Sequence, residues 1–178
     1  MIFEETALPG AYIVQLEKRE DERGFFARSW DRAEFAAHGL ADITVQTNIS
    51  FNSARGTLRG MHWQAAPFQE TKLVRCTRGA LYDVIVDLRA DSPTHRRWIG
   101  VELTVENHTA LYVPADFAHG FITLADATEA TYLMSREYAP GYDRGARHDD
   151  PAFAIAWPSP VRIISEKDRG WPDYRGKR

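Results

Sequence analysis

Ile43-Thr-Val-Gln-Thr-Asn-Ile-Ser-Phe51 decides the fold class. Ile43, Val45, Ile49 and Phe51 fall on one face and Gln46, Asn48 and Ser50 on the other, the two-residue period of an extended strand. The apolar face reads as the core side. The polar row is then either exposed to solvent or lines a wet cavity. Working outward, similar short runs recur at 11–16, 24–30, 71–77, 80–88, 98–105, 109–113, 117–124 and 128–135, separated by turn signals such as Arg78-Gly79 and Asp91-Ser92-Pro93. One helix stands out, with Asp31 as N-cap, Glu34 closing a capping box and Gly39 as its stop. Many short strands and one or two short helices predict a closed or sandwiched antiparallel, all-β architecture.

The chain has 178 residues, 44% hydrophobic and 26% charged, with 22 basic and 25 acidic side chains for a net charge of −3. That mix covers a sizeable core, which excludes a disordered reading and predicts one domain over residues 1–178. So balanced a charge supplies no global field for a polyanion, so no nucleic-acid partner is expected. No apolar run approaches membrane-spanning length, and no membrane partner is expected. The opening MIFEETALPG lacks the basic region of a secretory signal, and the single Cys76 fits a reducing compartment. These readings predict a cytoplasmic protein. The tail Tyr174-Arg-Gly-Lys-Arg178 reads as a frayed end.

The densest chemistry lies in Arg55-Gly-Thr-Leu-Arg-Gly-Met-His-Trp-Gln64, with Lys72 and Arg75 on the following strand. Burying Arg59 requires an opposing anion, either a protein carboxylate at the rim or a pyrophosphate-bearing ligand. Strict alternation puts Arg59 and His62 on opposite faces. They share a pocket only if the strand bulges, most easily at Gly60. His119, within Tyr112-Val-Pro-Ala-Asp-Phe-Ala-His-Gly-Phe121, and Tyr132, within Thr131-Tyr-Leu-Met-Ser-Arg-Glu-Tyr138, mark two further clusters.

These stretches, with Asp21-Glu-Arg-Gly-Phe-Phe26, Gln46-Thr-Asn-Ile-Ser50, Lys72-Leu-Val-Arg-Cys76, Asp83-Val-Ile-Val-Asp-Leu-Arg89, Asp149-Asp-Pro151 and Ser165-Glu-Lys-Asp168, run in order almost end to end. Together they resemble the dTDP-4-dehydrorhamnose 3,5-epimerases. The resemblance implies a cupin-type antiparallel jelly roll with one or two short peripheral helices. It also implies a nucleotide-sugar substrate, a dTDP-linked 4-keto-6-deoxyhexose, and a homodimer whose N-terminal strands cross to the partner. By the same resemblance His62 is the base, oriented by Asp168. Tyr132 is the acid for the other face, and Lys72 the cation at the C4 oxygen. Arg23, Gln46, Asn48, Arg59, His119, Tyr138, Asp143 and Lys167 are implied as substrate-binding, with Asp143 standing where the family usually has glutamate.

The ketone at C4 acidifies the hydrogens on C3 and C5, and the resulting carbanion delocalises as an enolate. A positioned base accelerates such a transfer by roughly 10²–10⁴-fold, and a fixed donor at the enolate is worth about 3–4 kcal/mol. No electrons leave the sugar, so no cofactor is expected. Metal-binding cupins place ligands where this chain has His62, Gln64, Glu70 and His119; glutamine in that set argues for no metal. Further departures are Arg28 for a usual glutamate, Asp116 for a usual glycine, and one extra residue between Gln46 and His62. A mono-epimerase, a 3,4-ketoisomerase and a non-catalytic sugar-binding module are the alternatives on the same scaffold.

Overall fold

The computed structural model describes residues 1–176. In chain order come β1 (Ile2–Glu5), β2 (Tyr12–Gln15), β3 (Arg19–Asp21), β4 (Gly24–Phe26) and α1 (Arg32–Ala37). There follow β5 (Gln46–Asn52), β6 (Thr57–Gln64), β7 (Lys72–Arg78), β8 (Ala80–Asp87) and β9 (Trp98–Thr104). β10 (Ala110–Val113), β11 (Phe117–Thr123), β12 (Thr128–Met134), β13 (Asp143–Gly145), β14 (Ile163–Ile164) and α2 (Glu166–Arg169) complete the order.

Two sheets face one another in an antiparallel jelly roll. The first runs β1-β2-β10-β7-β12-β5 and the second β13-β6-β11-β8-β9, with β14 added in parallel to β6. β3 and β4 form a separate hairpin. Alternation along each strand sends Val74, Cys76 and Ala130 from the first sheet against Leu81, Ile85, Phe117 and Phe121 from the second. Each large apolar side chain removed from water there contributes about 1.5–3 kcal/mol. The outer face of the second sheet is covered by the C-terminal segment through Ala146, Phe153 and Tyr174. Part of the first sheet's outer face is covered by Phe35 of α1 and by Ile43.

α1 begins as its sequence predicts, with the Asp31 carboxylate accepting from the amides of Ala33 and Glu34 at 2.9 and 3.0 Å. It ends at Gly39, whose φ is +69°, with the Gly39 amide on Ala36 O and the Leu40 amide on Phe35 O, a Schellman arrangement. The capping box is not closed: Glu34 pairs instead with the Met1 amino group at 2.6 Å. Asp116 takes the left-handed backbone conformation that its replacement of glycine calls for, with φ +68°.

Four further expectations need correction. The strand expected over 24–30 stops at Phe26, because its ladder partner β3 pairs no further than Arg19 with Phe26; beyond it Arg28 pairs with the helix cap Asp31. The strand expected from Ile43 starts at Gln46. Asp42 accepts from the Thr44 amide at 3.1 Å, a turn that diverts Ile43 into the cluster around Phe35. The apolar face of β5 does not join the core: Val45, Ile49 and Phe51 are 53%, 67% and 50% exposed. The tail is not frayed at Tyr174, which is buried, its amide donating to Asp150 at 2.6 Å. Lys177 and Arg178 lie outside the described residues.

Candidate active site

The polar row of β5 turns inward and forms one wall of a cavity of about 500 Å³ between the two sheets. Of the substrate and catalytic residues read from the sequence, all but Arg23 and His119 line it. The two sheets contribute different chemistry. From β6 in the second sheet come Arg59 and His62; from β5, β7 and β12 in the first come Gln46, Asn48, Lys72 and Tyr132.

A bulge brings Arg59 and His62 to one face. Across β6 and β11, His62 pairs with His119 and Arg59 with Phe121, so Gly60 and Met61 together oppose Gly120. Gly60 has φ +127°, and a Cβ there would lie 2.5 Å from the Gly120 Cα and 2.9 Å from the His119 carbonyl. Only glycine fits that approach.

His62 Nε2 lies 2.6 Å from Asp168 Oδ1, with the imidazole open to the cavity and the carboxylate almost fully buried. A carboxylate only accepts, so a neutral imidazole carries its proton on Nε2 and keeps Nδ1 as the basic nitrogen. Burial pushes the Asp168 carboxyl upward. The His62 hydrogen bond and charge, the Gly60 amide and Ser165 outweigh it, leaving Asp168 below the usual carboxylate range. Ser165 also caps α2 by accepting from the Asp168 amide at 3.0 Å. A bulge in one strand and the first turn of a short helix thus build the dyad.

Opposite, burial raises the Tyr132 phenol above its ordinary value against a smaller lowering by Arg59, so it stays protonated at neutral pH. Its hydroxyl makes no hydrogen bond among the described residues. The Arg59 guanidinium donates to Asn52 Oδ1 at 2.7 Å and is paired with no carboxylate among the described residues. It therefore stands as a held, unneutralised cation at the cavity wall, which removes the rim ion-pair reading. Lys72 is buried beside Glu70, Nζ to Oε1 3.0 Å.

At the mouth, Asp143 gathers two partners: Lys167 Nζ at 2.7 Å and the Tyr138 hydroxyl at 3.3 Å. The Lys167 ammonium holds the Asp143 carboxyl below its usual range, and the Tyr138 ring is 59% exposed. His119 does not line the cavity: it is the cross-strand partner of His62 and is buried, with Nε2 2.7 Å from Asp83 Oδ1. Arg23 is not brought to the cavity. It sits on the β3–β4 turn, exposed, and pairs with Asp21.

Glu70, Ser165, Met134 and Trp171 also line the cavity; in sequence Glu70 stands out only as a member of the metal frame. Its signal was the two-residue offset from Lys72, which puts the two side chains on one face of an extended segment. The members of that frame are otherwise engaged. Gln64 donates to the carbonyls of Phe68 and Glu137 and accepts from the Ala139 amide, and no group of three or more His, Cys, Asp or Glu is placed to hold a metal among the described residues.

A family model described as dTDP-4-dehydrorhamnose 3,5-epimerase matches residues 5–175. A dTDP-4-dehydrorhamnose 3,5-epimerase of Sinorhizobium fredii is 43% identical over 97% of this chain and 89% of its own. The epimerase structure from Elizabethkingia anophelis superposes with a TM-score of 0.95 at 36% identity, covering 98% of this chain and 97% of that one. The Bacillus anthracis epimerase, solved with TDP and pyrophosphate bound, gives 0.93 at 40% identity, covering 97% and 99%.

Proposed function

The chain belongs to the dTDP-4-dehydrorhamnose 3,5-epimerase family, and from that premise we propose how its own residues carry out the reaction. The protein is an isomerase that epimerises a dTDP-linked 4-keto-6-deoxyhexose. In our reading His62 Nδ1 removes the proton from C3, releases it to solvent and then does the same at C5, while Asp168 holds the imidazole and stabilises the imidazolium. Lys72 meets the charge that develops on the C4 oxygen. Tyr132 returns a proton to the opposite face and regains one from water.

One observation carries this reading: the His62–Asp168 dyad and Tyr132 come from opposing sheets onto one cavity. A flat enolate held between the sheets would be open to a base on one side and an acid on the other, which is what inversion requires. Arg59, unneutralised, would take the pyrophosphate. Gln46 and Asn48, linked at 2.9 Å, would bind sugar hydroxyls. Exposed Tyr138, beside Asp143 and Lys167, would stack on the base. No electron acceptor or metal has a step in this scheme.

We extend the proposal to one domain over 1–178 acting as a homodimer in the cytoplasm. The uncovered apolar row Val45, Ile49 and Phe51 supports pairing of two copies, since a patch of that kind on one chain asks for a cover. Crossing of the N-terminal strands would carry Arg23 and exposed Phe26 toward the partner's cavity. No helix among the described residues is long and apolar enough to cross a membrane.

The roles separate in variants. His62→Ala abolishes solvent exchange at both carbons. Tyr132→Phe keeps the ring and the fold but removes the acid, so net inversion falls about 10²-fold or more while some exchange persists. Inversion at the parent rate by Tyr132→Phe removes Tyr132 from the mechanism; exchange at the parent rate by His62→Ala removes the whole site.

A further inference from the structure

Glu70 has a place in the cavity that the scheme above leaves without a role. It sits in the loop between β6 and β7, its residue only 8% exposed, and lines the cavity with Lys72. Its two carboxylate oxygens are divided. Oε2 accepts from the Gln64 backbone N–H at 3.1 Å, and Oε1 lies 3.0 Å from Lys72 Nζ. Gln64 is itself fixed, because its side chain ties the Phe68 carbonyl and the Ala139 amide to β6. A rigid line therefore runs from the strand that carries His62 to the ammonium on the facing sheet.

A buried ion pair is weak evidence for stability, since desolvation of both charges offsets much of their attraction. Positioning accounts better for this one. Lysine ends in a flexible stem with three rotatable N–H donors, and a donor assists an enolate only when it is already aimed at the oxygen. One carboxylate oxygen at 3.0 Å takes up one donor direction and leaves the others for the cavity. We infer that Glu70 is a positioning residue for the epimerase reaction: it orients Lys72 toward the C4 oxygen and acts only through it. This rests on the reading of Lys72 as the enolate cation.

The test is a kinetic cycle with Glu70→Gln, Lys72→Met and the double variant, using the dTDP-linked 4-keto-6-deoxyhexose, with thermal melts on every protein. Glu70→Gln keeps shape and removes charge. It should lower kcat by about ten- to a hundredfold and move KM by less than about threefold. In the Lys72→Met background the same change should alter kcat by less than about twofold, because the group it acts through is gone. A purely structural Glu70 would lower the melting temperature without this dependence on Lys72.

Parent kcat in Glu70→Gln, or an equal loss in both backgrounds, overturns the inference and leaves the role of Lys72 standing. Parent kcat in Lys72→Met overturns the reading of Lys72 itself, and the inference with it. Should Glu70→Gln not fold, Glu70→Asp withdraws the same charge by one methylene. It should lower kcat by about three- to tenfold, again only when Lys72 is present; an unchanged kcat overturns the inference.

Discussion

At Asp168 burial and hydrogen bonding pull in opposite directions, and the hydrogen bonds win. Its carboxyl is held below the usual range although the side chain is almost buried. The folded pKa lies below the unfolded value of about 3.9. The ionised group therefore contributes stability that is complete above about pH 4 and is lost as pH falls through the folded value. Asp168→Asn removes that contribution, so its melting temperature should fall below the parent's at neutral pH, and the gap should narrow on acidification. Because an amide has one accepting oxygen where the carboxylate serves both His62 Nε2–H and the Gly60 amide, kcat should drop about 10²–10⁴-fold. A gap that widens toward pH 3, or an Asn variant with parent kcat, contradicts this account. Residue types in sequence were enough to mark Arg59 and His62, with Lys72 and Arg75 on the next strand, as the densest chemical cluster, while their roles came from the resemblance. They could not reveal Asp168, Asp143 or Lys167, which reach the cavity from short elements far along the chain and were named through resemblance alone.

Among the elements, β5 and β6 show how much periodicity can and cannot tell. Alternation divided residues 45–51 correctly into two faces but wrongly counted Ile43 with them, and it carries no information on which face turns inward. Here the polar face lines the cavity and the apolar one looks outward, the reverse of a strand on an ordinary core. In β6 the glycine between Arg59 and His62 marked the place where a bulge most easily puts them side by side, and the register shifts there. Gly60→Ala is the matching test. Its φ of +127° and the 2.5 Å approach to Gly120 leave a Cβ no room. The cost should be about 1–3 kcal/mol for the backbone conformation alone, with more from the clash. The variant should melt lower and lose the His62–Asp168 register, lowering kcat as well. An alanine variant with parent stability and activity would mean that the bulge is not needed. The C-terminal segment was misjudged for a related reason: its polar composition concealed Tyr174, whose burial against Phe153 and Trp63 fixes the covering layer.

For the whole molecule, the uncovered row on β5 predicts association. The protein should sediment as a dimer at micromolar concentration, and Ile49→Glu should shift it toward monomer by placing a charge where Ile49 is now 67% exposed. A parent protein that sediments as a monomer contradicts the homodimer. A closed or sandwiched antiparallel architecture was readable from strand number and spacing, because short alternating runs broken by turns leave few other ways to bury a core; the jelly roll itself came from the resemblance. The meeting of His62, Tyr132 and Lys72 across two sheets was not, because it depends on topology that joins strands far apart in sequence. That meeting is the central claim, and one measurement reaches it directly. The parent protein is incubated with the dTDP-linked 4-keto-6-deoxyhexose in deuterated water, and the sugar is followed by NMR for isotope content and configuration. The account predicts deuterium at both C3 and C5, each with inversion. Exchange at one carbon only, or none at either, would contradict it.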